Sequence, residues 1–492
     1  MSYFQFDNSY AALAPQFYSH QTPTPVKQPK LIRINQALAE QLDIDSRWLE
    51  SEHAAAVLSG NEIAEGSTPI ATVYAGHQFG MWNPQLGDGR AILLGEVIDK
   101  QGQRYDIQLK GSGRTPYSRS GDGRSPLGPV LREYLISESM AAMGIPTTRA
   151  LAAVSTGEAV VRESLLPGAI LTRVAKSHIR VGTFEFFASR NDTQSLTTLA
   201  NHVIERHYPE IKDAQHPYQA LLKAVINAQA KLVAQWQGIG FIHGVMNTDN
   251  MLLSGETIDY GPCAFMDNYH PRTCFSSIDQ QKRYAYGNQP QIAHWNMACL
   301  AQCLLLIMDD NEAKALKLTQ EAVDEFPQIY AQHYLAVMRA KLGLLHAKES
   351  DQDLILDLLQ RMEQHQLDFT LTFRHLSEQL SSTPTSSNIP ERLFTLPEDF
   401  APWIEQWQQR LAEENQPENE RIQQMRGSNP AMIPRNHIVE EAIELAVNQE
   451  DLSAFHAAVD ALQKPFDYQP ELEKYATPPK PEQVVENTFC GT

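Results

Sequence analysis

Apolar residues recur at two different spacings along this chain, and the changes of spacing divide it. Residues 1–70 join a Pro-rich stretch, "QTPTPVKQPK", to helical spacing in "INQALAEQL" and "SRWLESEHAAAVL", which predicts a helical N-terminal extension. Over 71–185 the pattern shortens to β-like runs between Gly turns: "RAILLGEVI", "RYDIQLK", "RALAAVS", "EAVVRES" and "AILTRVA". One helix interrupts them, "PVLREYLISESMAAMG", with Pro129 in its first turn and Gly144 at its end. Over 186–381 the spacing turns helical, with "YQALLKAVINAQAKLVAQWQGIG" stopping at Gly238 and Gly240. Two short strand-like pieces follow, "NMLLS" and "ETIDYG". The polar linker "SSTPTSSNIPE" opens the segment 382–492, which reads as further helices and a Pro-bearing tail extended over the surface. The pattern predicts an α+β fold: a small β-rich unit with one helix, then a larger helical unit.

Charge narrows the partners. Forty Lys and Arg against 59 Asp and Glu give a net charge of −19, which argues against nucleic acid, whose binding relies on clustered cations. A basic island at Lys100, Arg104, Lys110, Arg114, Arg119, Arg124 and Arg132 suits a small anionic ligand such as a nucleotide. No apolar run reaches the ~18 residues of a membrane span, and "ACLAQCLLLIM" reads as a buried helix. "MSYFQFDNSY" has neither the basic start nor the apolar stretch of a signal peptide. Five cysteines without a CxxC pair point to a reducing compartment, the cytoplasm. Cys299 and Cys303, four apart, read as small core residues rather than metal ligands.

The chemistry concentrates in a few stretches. "HGVMNTDNMLLSG" places His243 and Asn250 at the spacing of the His-x-Asp-x-x-x-x-Asn loop of phosphotransferases, but Val245 stands where the Asp belongs. Asp249 is the nearest carboxylate in the loop. "TIDYG" places Asp259 where an Asp-Phe-Gly metal site would stand, and Asn250 with Asp259 can share one Mg²⁺ through hard oxygen ligands. Lys110 closes the run "YDIQLK", and Glu133 lies in the helix that follows; such a pair can orient phosphates. In isolation, each residue also fits a solvent-exposed strand end or helix face. Gly87 and Gly89 in "QLGDGR", with Arg90 beside them, either cradle phosphate or make an ordinary hairpin turn. Asp122-Gly123 sits in the Gly- and Arg-rich stretch "LKGSGRTPYSRSGDGRSPLG", and Arg173, Lys176 and Arg180 follow in "LTRVAKSHIRVG". The order of these motifs suggests a protein-kinase-like, two-lobe architecture.

The chain resembles the selenoprotein O family, a branch of the protein-kinase-like fold. The resemblance rests on "YAGHQFGMWNPQLGDGRAILLGE", "LKGSGRTPYSRSGDGR", "LREYLISESMAAMGIPTTRAL", "SHIRVGTFEFFA", "GFIHGVMNTDNML", "IDYGPCAFMD" and "NPAMIPRNH", in order over most of the chain. It implies transfer of AMP from ATP to Ser, Thr or Tyr hydroxyls of proteins, with the nucleotide flipped so that its α-phosphate faces the acceptor. By the same resemblance, Lys110, Arg173 and Arg180 hold the β- and γ-phosphates. Gly87, Gly89, Arg90, Asp122 and Gly123 line the nucleotide site. Asp249 is the base, Asn250 and Asp259 carry Mg²⁺ or Mn²⁺, and Glu133 pairs with Lys110. Two other readings stay open: a conventional γ-phosphate transferase, and a non-catalytic ATP-binding scaffold. Cys490, third from the end, stands where some family members carry selenocysteine, and a reversible Cys274–Cys490 bond is expected as a redox switch.

Overall fold

The computed structural model describes residues 3–380 and 388–489. Its centre is an antiparallel sheet. In chain order its strands are β1 (Tyr18–His20), β2 (Lys30–Ile34), β3 (Ile70–Thr72), β6 (Ala91–Ile98), β7 (Arg104–Lys110), β8 (Ser125–Pro126), β9 (Arg149–Val161) and β10 (Leu165–Ala175). They lie in the order β1-β3-β6-β7-β10-β9-β2, with β8 pairing on β10. Between β3 and β6, β4 (Gly76–Gln78) and β5 (Met81–Asn83) form a separate hairpin.

The helices α1 (Gln36–Gln41), α2 (Ser46–Leu49) and α3 (Glu52–Leu58) cover one face of this sheet, and α4 (Leu127–Ala142) covers the other. Strand alternation makes this possible, because successive side chains point to opposite faces. Ile107 and Leu109 of β7 join Leu38, Trp48 and Leu58 in one apolar layer. The intervening Gln108 and Lys110 share the other face with α4. The extension 1–70 is thus not wholly helical: β1 and β2 close the two edges of the sheet. Their few residues, partly exposed, carry too little alternation to register as strands.

The chain then becomes helical through α5 (Val181–Ala188), α6 (Thr193–His207), α7 (Pro217–Gly238) and α8 (Gln289–Met308). A further set of helices runs from Glu312 to Gln379, and another from Ala401 to Ala461. Two of the last, Asn436–Gln449 and Ser453–Ala461, pack on α4 from behind the sheet. The Tyr134 and Phe455 rings meet there with centroids 5.7 Å apart. α4 is therefore buried nearly all round, its polar Arg132, Glu133, Ser137 and Ser139 included. Most of the linker, residues 381–387, lies outside the described residues. One helix among those described, Tyr286–Met308, is long and apolar enough to cross a membrane, but 56 % of its apolar window is already buried against α5, α6, α7 and the helix after it.

The segments read as strands after Asn250 fold differently. They form only isolated bridges, Arg180 with Leu252 and Thr147 with Thr257. The strand pair nearby is instead β11 (Phe241–Ile242) with β12 (Ala264–Phe265). These bridges still position the site. Leu253 N–H donates to Ile179 O and Val181 N–H to Met251 O, which ties the loop to the start of α5. Thr148 and Thr257 exchange a similar contact at the end of α4.

Candidate active site

A cavity of about 440 Å³ opens beside the sheet. Its rim is the turn at 86–90 and the overlying loop 117–124. Leu86 and Asp88 donate backbone N–H groups to Tyr74 and Thr72 carbonyls. Asp88 Oδ2 accepts from Thr72 N–H and hydroxyl at 3.0 and 2.6 Å. Thr115 hydroxyl donates to Asp88 O at 2.6 Å, and Ser118 hydroxyl donates to Gly89 O. Gly87 is required: its φ is +96°, and a Cβ there would sit 2.4 Å from the Tyr117 ring. Asp122 is clamped by Arg162 through bonds of 2.9 and 3.1 Å, and Gly123 follows with φ +70°.

The floor is a cluster of four charged groups. Lys110 Nζ donates to Glu133 Oε2 at 2.6 Å and to Asp259 Oδ1 at 2.7 Å. Arg173 reaches Glu133 Oε1 at 2.7 Å and Asp259 Oδ1 at 2.6 Å. Burial pushes the carboxyl of Glu133 up, but Arg173 and then Lys110 outweigh it and hold it below the usual range. Asp259 is likewise raised by burial, yet Lys110, Arg173 and Arg180 hold it well below that range. Both carboxylates therefore stay charged, and their pairing with Lys110 and Arg173 offsets the cost of burying them. Asp259 adopts φ +62°, a conformation that costs a residue with a Cβ about 1 kcal/mol or more; the two cations hold it there.

The third wall is the loop after β11. His243 Nε2 donates to Ile258 O at 2.8 Å, while Nδ1 accepts from Val245 N–H at 3.3 Å, so the ring joins the loop to the segment carrying Asp259. Asn250 Nδ2 donates to Val245 O at 3.0 Å. Asp249 Oδ2 accepts from Gln78 Nε2 at 3.2 Å, whereas its Oδ1 is buried with no hydrogen-bond partner. Burial drives the Asp249 carboxyl up to about 6, with Arg180 opposing. Arg180 donates Nη1–H to Asp249 O at 3.1 Å, lies over the Tyr74 ring at 4.3 Å, and stands 3.8 Å from Asp88.

Gly87, Gly89, Arg90, Lys110, Asp122, Gly123, Arg173, Arg180, Asp249 and Asp259 all line this one cavity. Glu133 lies just behind it, and Asn250 is not among the lining residues. Of the basic island, Arg119 and Arg124 line the cavity. Arg132 instead pairs with Glu440, and Arg114 donates to Arg119 O. The sequence reading missed Tyr74, Gln78, Asp88 and Tyr117. Only Asp88 carried a local signal, a carboxylate between two glycines. Cys274 is half-buried, its thiol donating to Asp279 at 3.5 Å; burial, with Asp279 adding, pushes that thiol up to about 11. Cys490 lies outside the described residues, which end at Phe489.

The donors here suit a hard divalent cation. The Asp259 carboxylate facing the cavity and the Asn250 amide offer oxygen ligands, while the buried Asp249 Oδ1 is left unpartnered. The cationic Lys110, Arg173 and Arg180 on the opposite side suit a polyphosphate. A protein, anion and metal could thus be handled around a single carboxylate base.

The family model described as protein adenylyltransferase SelO matches residues 1–463. A protein nucleotidyltransferase YdiU of Rhizobium meliloti (strain 1021) is 55 % identical over 492 residues, covering all of both chains. A YdiU of Rhodopseudomonas palustris (strain BisB5) is 55 % identical over 490 residues, covering 100 % of this chain and 99 % of its own. A YdiU of Bradyrhizobium diazoefficiens is 54 % identical over 490 residues, again covering 100 % and 99 %.

Proposed function

The chain belongs to the SelO family of protein adenylyltransferases and is a nucleotidyltransferase; from that premise we propose that it moves AMP from ATP to Ser, Thr or Tyr hydroxyls of proteins, with Asp249 as the base. The observation that carries the reading is Asp249, a residue that lines a cavity with a cationic floor and keeps one carboxylate oxygen, Oδ1, buried and unpartnered. The hydroxyl oxygen of the acceptor attacks the α-phosphorus of ATP. The bond to the bridging oxygen breaks, pyrophosphate leaves, and the hydroxyl proton passes to Asp249.

In this reading the segment 71–185 holds the nucleotide. The flipped orientation directs the β- and γ-phosphates to Lys110, Arg173 and Arg180, while Gly87, Gly89, Arg90, Asp122 and Gly123 line the rest of it. Glu133 fixes Lys110 and Arg173 from behind. The segment 186–381 supplies Asp249 and the oxygen ligands Asn250 and Asp259. A bound Mg²⁺ or Mn²⁺ would neutralise charge on the phosphates as pyrophosphate departs. Asp259, paired with Lys110 and Arg173, would hold that cation with Asn250, and the two cationic side chains would face the phosphates. The Lys110–Glu133 pair, formed between a strand and the helix after it, supports a protein-kinase-like arrangement. The described free thiols Cys274, Cys299 and Cys303 support action in the cytoplasm.

Labelled ATP tests the reaction. Label on the α-phosphate is expected to enter protein, and label on the γ-phosphate to leave as pyrophosphate. Protein labelled from the γ-phosphate would make the chain a kinase; protein labelled from neither would make it a scaffold.

A further inference from the structure

One cluster of metal-binding side chains lies outside this machinery. His77 on β4, Glu185 on α5 and Cys299 on α8 come together from three elements far apart in sequence. His77 Nδ1 lies 2.6 Å from Glu185 Oε1. The ligating atoms of all three, Cys299 Sγ included, lie within 4.8 Å of one another. The Glu185 side chain is 4 % exposed. The Thr248 hydroxyl lies close enough to favour the charged form of this carboxylate, although Oε2 meets no donor in good hydrogen-bond geometry. A simple His–Glu hydrogen bond satisfies Oε1 and leaves this second buried oxygen costly. A cation would satisfy both.

We propose that His77, Glu185 and Cys299 bind a borderline-soft divalent cation of the Zn²⁺ class. The ligand set decides the class. One imidazole, one carboxylate and one thiolate suit zinc, whereas the all-oxygen donors at Asn250 and Asp259 suit Mg²⁺ or Mn²⁺. Tetrahedral zinc holds such ligands roughly 3.3–3.6 Å apart, so the three, now within 4.8 Å of one another, must settle to that spacing and the His–Glu pair must open slightly. The Trp82 and Trp295 rings flank His77 with centroids at 4.9 and 5.4 Å and limit how its ring can turn. His77 is itself partly exposed, which leaves an entry path and a fourth position for water.

Binding releases the thiol proton of Cys299 to solvent. Burial first, and Glu185 second, raise the Cys299 thiol to about 12. Affinity therefore tightens as pH rises. The ion would fasten the β4–β5 hairpin to α5 and α8. The next residue of that hairpin, Gln78, holds Asp249. The site stands or falls independently of the base assigned to Asp249.

The full-length, metal-stripped protein is titrated with Co²⁺ in the absence of nucleotide. One Co²⁺ per chain is expected to raise a thiolate-to-cobalt charge-transfer band, which Zn²⁺ bleaches and excess Mg²⁺ does not. An oxygen site at Asp259 cannot produce that band. Cys274→Ser should keep it and Cys299→Ser should lose it. His77→Gln, on the partly exposed hairpin, should fold and bind Co²⁺ at least about tenfold more weakly; it decides the matter if Cys299→Ser does not fold. Absence of the band from wild type, its survival in Cys299→Ser, or unchanged affinity in His77→Gln overturns the proposal.

Discussion

Gln78 Nε2 donates to Asp249 Oδ2 at 3.2 Å across 171 positions of sequence, so the β4–β5 hairpin, not the loop that carries Asp249, supplies the side chain that steadies the proposed base. A hydrogen bond to a carboxylate favours its charged form. Gln78→Ala should therefore move the acidic limb of the pH–rate profile upward while leaving ATP affinity near wild type. An unmoved limb would mean that Gln78 does not act on Asp249.

The wild-type limb itself has a predicted place and sign. Asp249 works as a base only when deprotonated, and burial holds it at about 6. kcat/KM, which reports the free enzyme, should be level above that pH and fall about tenfold per unit below it. Asp249→Asn should remove the limb and lower kcat by roughly 10²–10⁴, with nucleotide binding retained by calorimetry. An Asp249→Asn enzyme turning over like wild type would remove Asp249 from the mechanism.

Glu133 is 3 % exposed and contacts two buried cations. Glu133→Ala leaves Lys110 and Arg173 facing each other with only Asp259 between them. A loss of about 3–5 kcal/mol is expected, since removing one partner strands buried charge. Urea unfolding measures it, and a change below about 1 kcal/mol would show that water already screens the cluster.

Gly76 separates stability from chemistry. A Cβ there would stand 3.0 Å from Asp249 Oδ1 and 3.1 Å from Thr248 Oγ1, with no left-handed backbone to strain. Gly76→Ala should fold with a nearly unchanged Tm but lose about tenfold or more in kcat, because small displacements of a base are expensive. A fall in Tm without a fall in kcat would reverse the assignment.

Val245 occupies the position of the kinase Asp, 9 % exposed. Val245→Asp should not create γ-phosphate transfer, because a nucleotide bound in the proposed flipped orientation still presents its α-phosphate to the acceptor. Mass spectrometry of a protein substrate distinguishes a phosphate adduct from an AMP adduct.

The residues legible in the sequence are those whose neighbours along the chain carried the information. Lys110 stood out because alternation in β7 ends on it, and Asp249 because Val245 left a gap in a known spacing. Gln78 and Tyr74 were invisible because nothing local marks them; they reach the site only through the fold of the hairpin. Tyr117 matters through a ring laid on Gly87, a contact between two turns. β1 and β2 escaped notice because three- and five-residue edge strands bury too little to alternate. The strand expected at "NMLLS" failed for a related reason: its apolar residues are buried by α5 and α7 without a ladder beside them. The expected Cys274–Cys490 bond has one partner outside the described residues, and Cys274, with its thiol raised to about 11, is a slow nucleophile as it stands.

In β7, Leu109 faces the apolar layer under α1–α3, and Lys110 the charged floor. Inserting or deleting a single residue within 104–110 would exchange the two faces, sending an ammonium into hydrocarbon and a leucine among carboxylates. Conservative substitutions in this strand are survivable, whereas a length change is not. The turn just before it differs, because Gly102 has open space where a Cβ would go. Over evolution this stretch should thus drift in spelling but never in length, and an insertion scan of the gene should find tolerance at 100–103 that stops abruptly at Arg104.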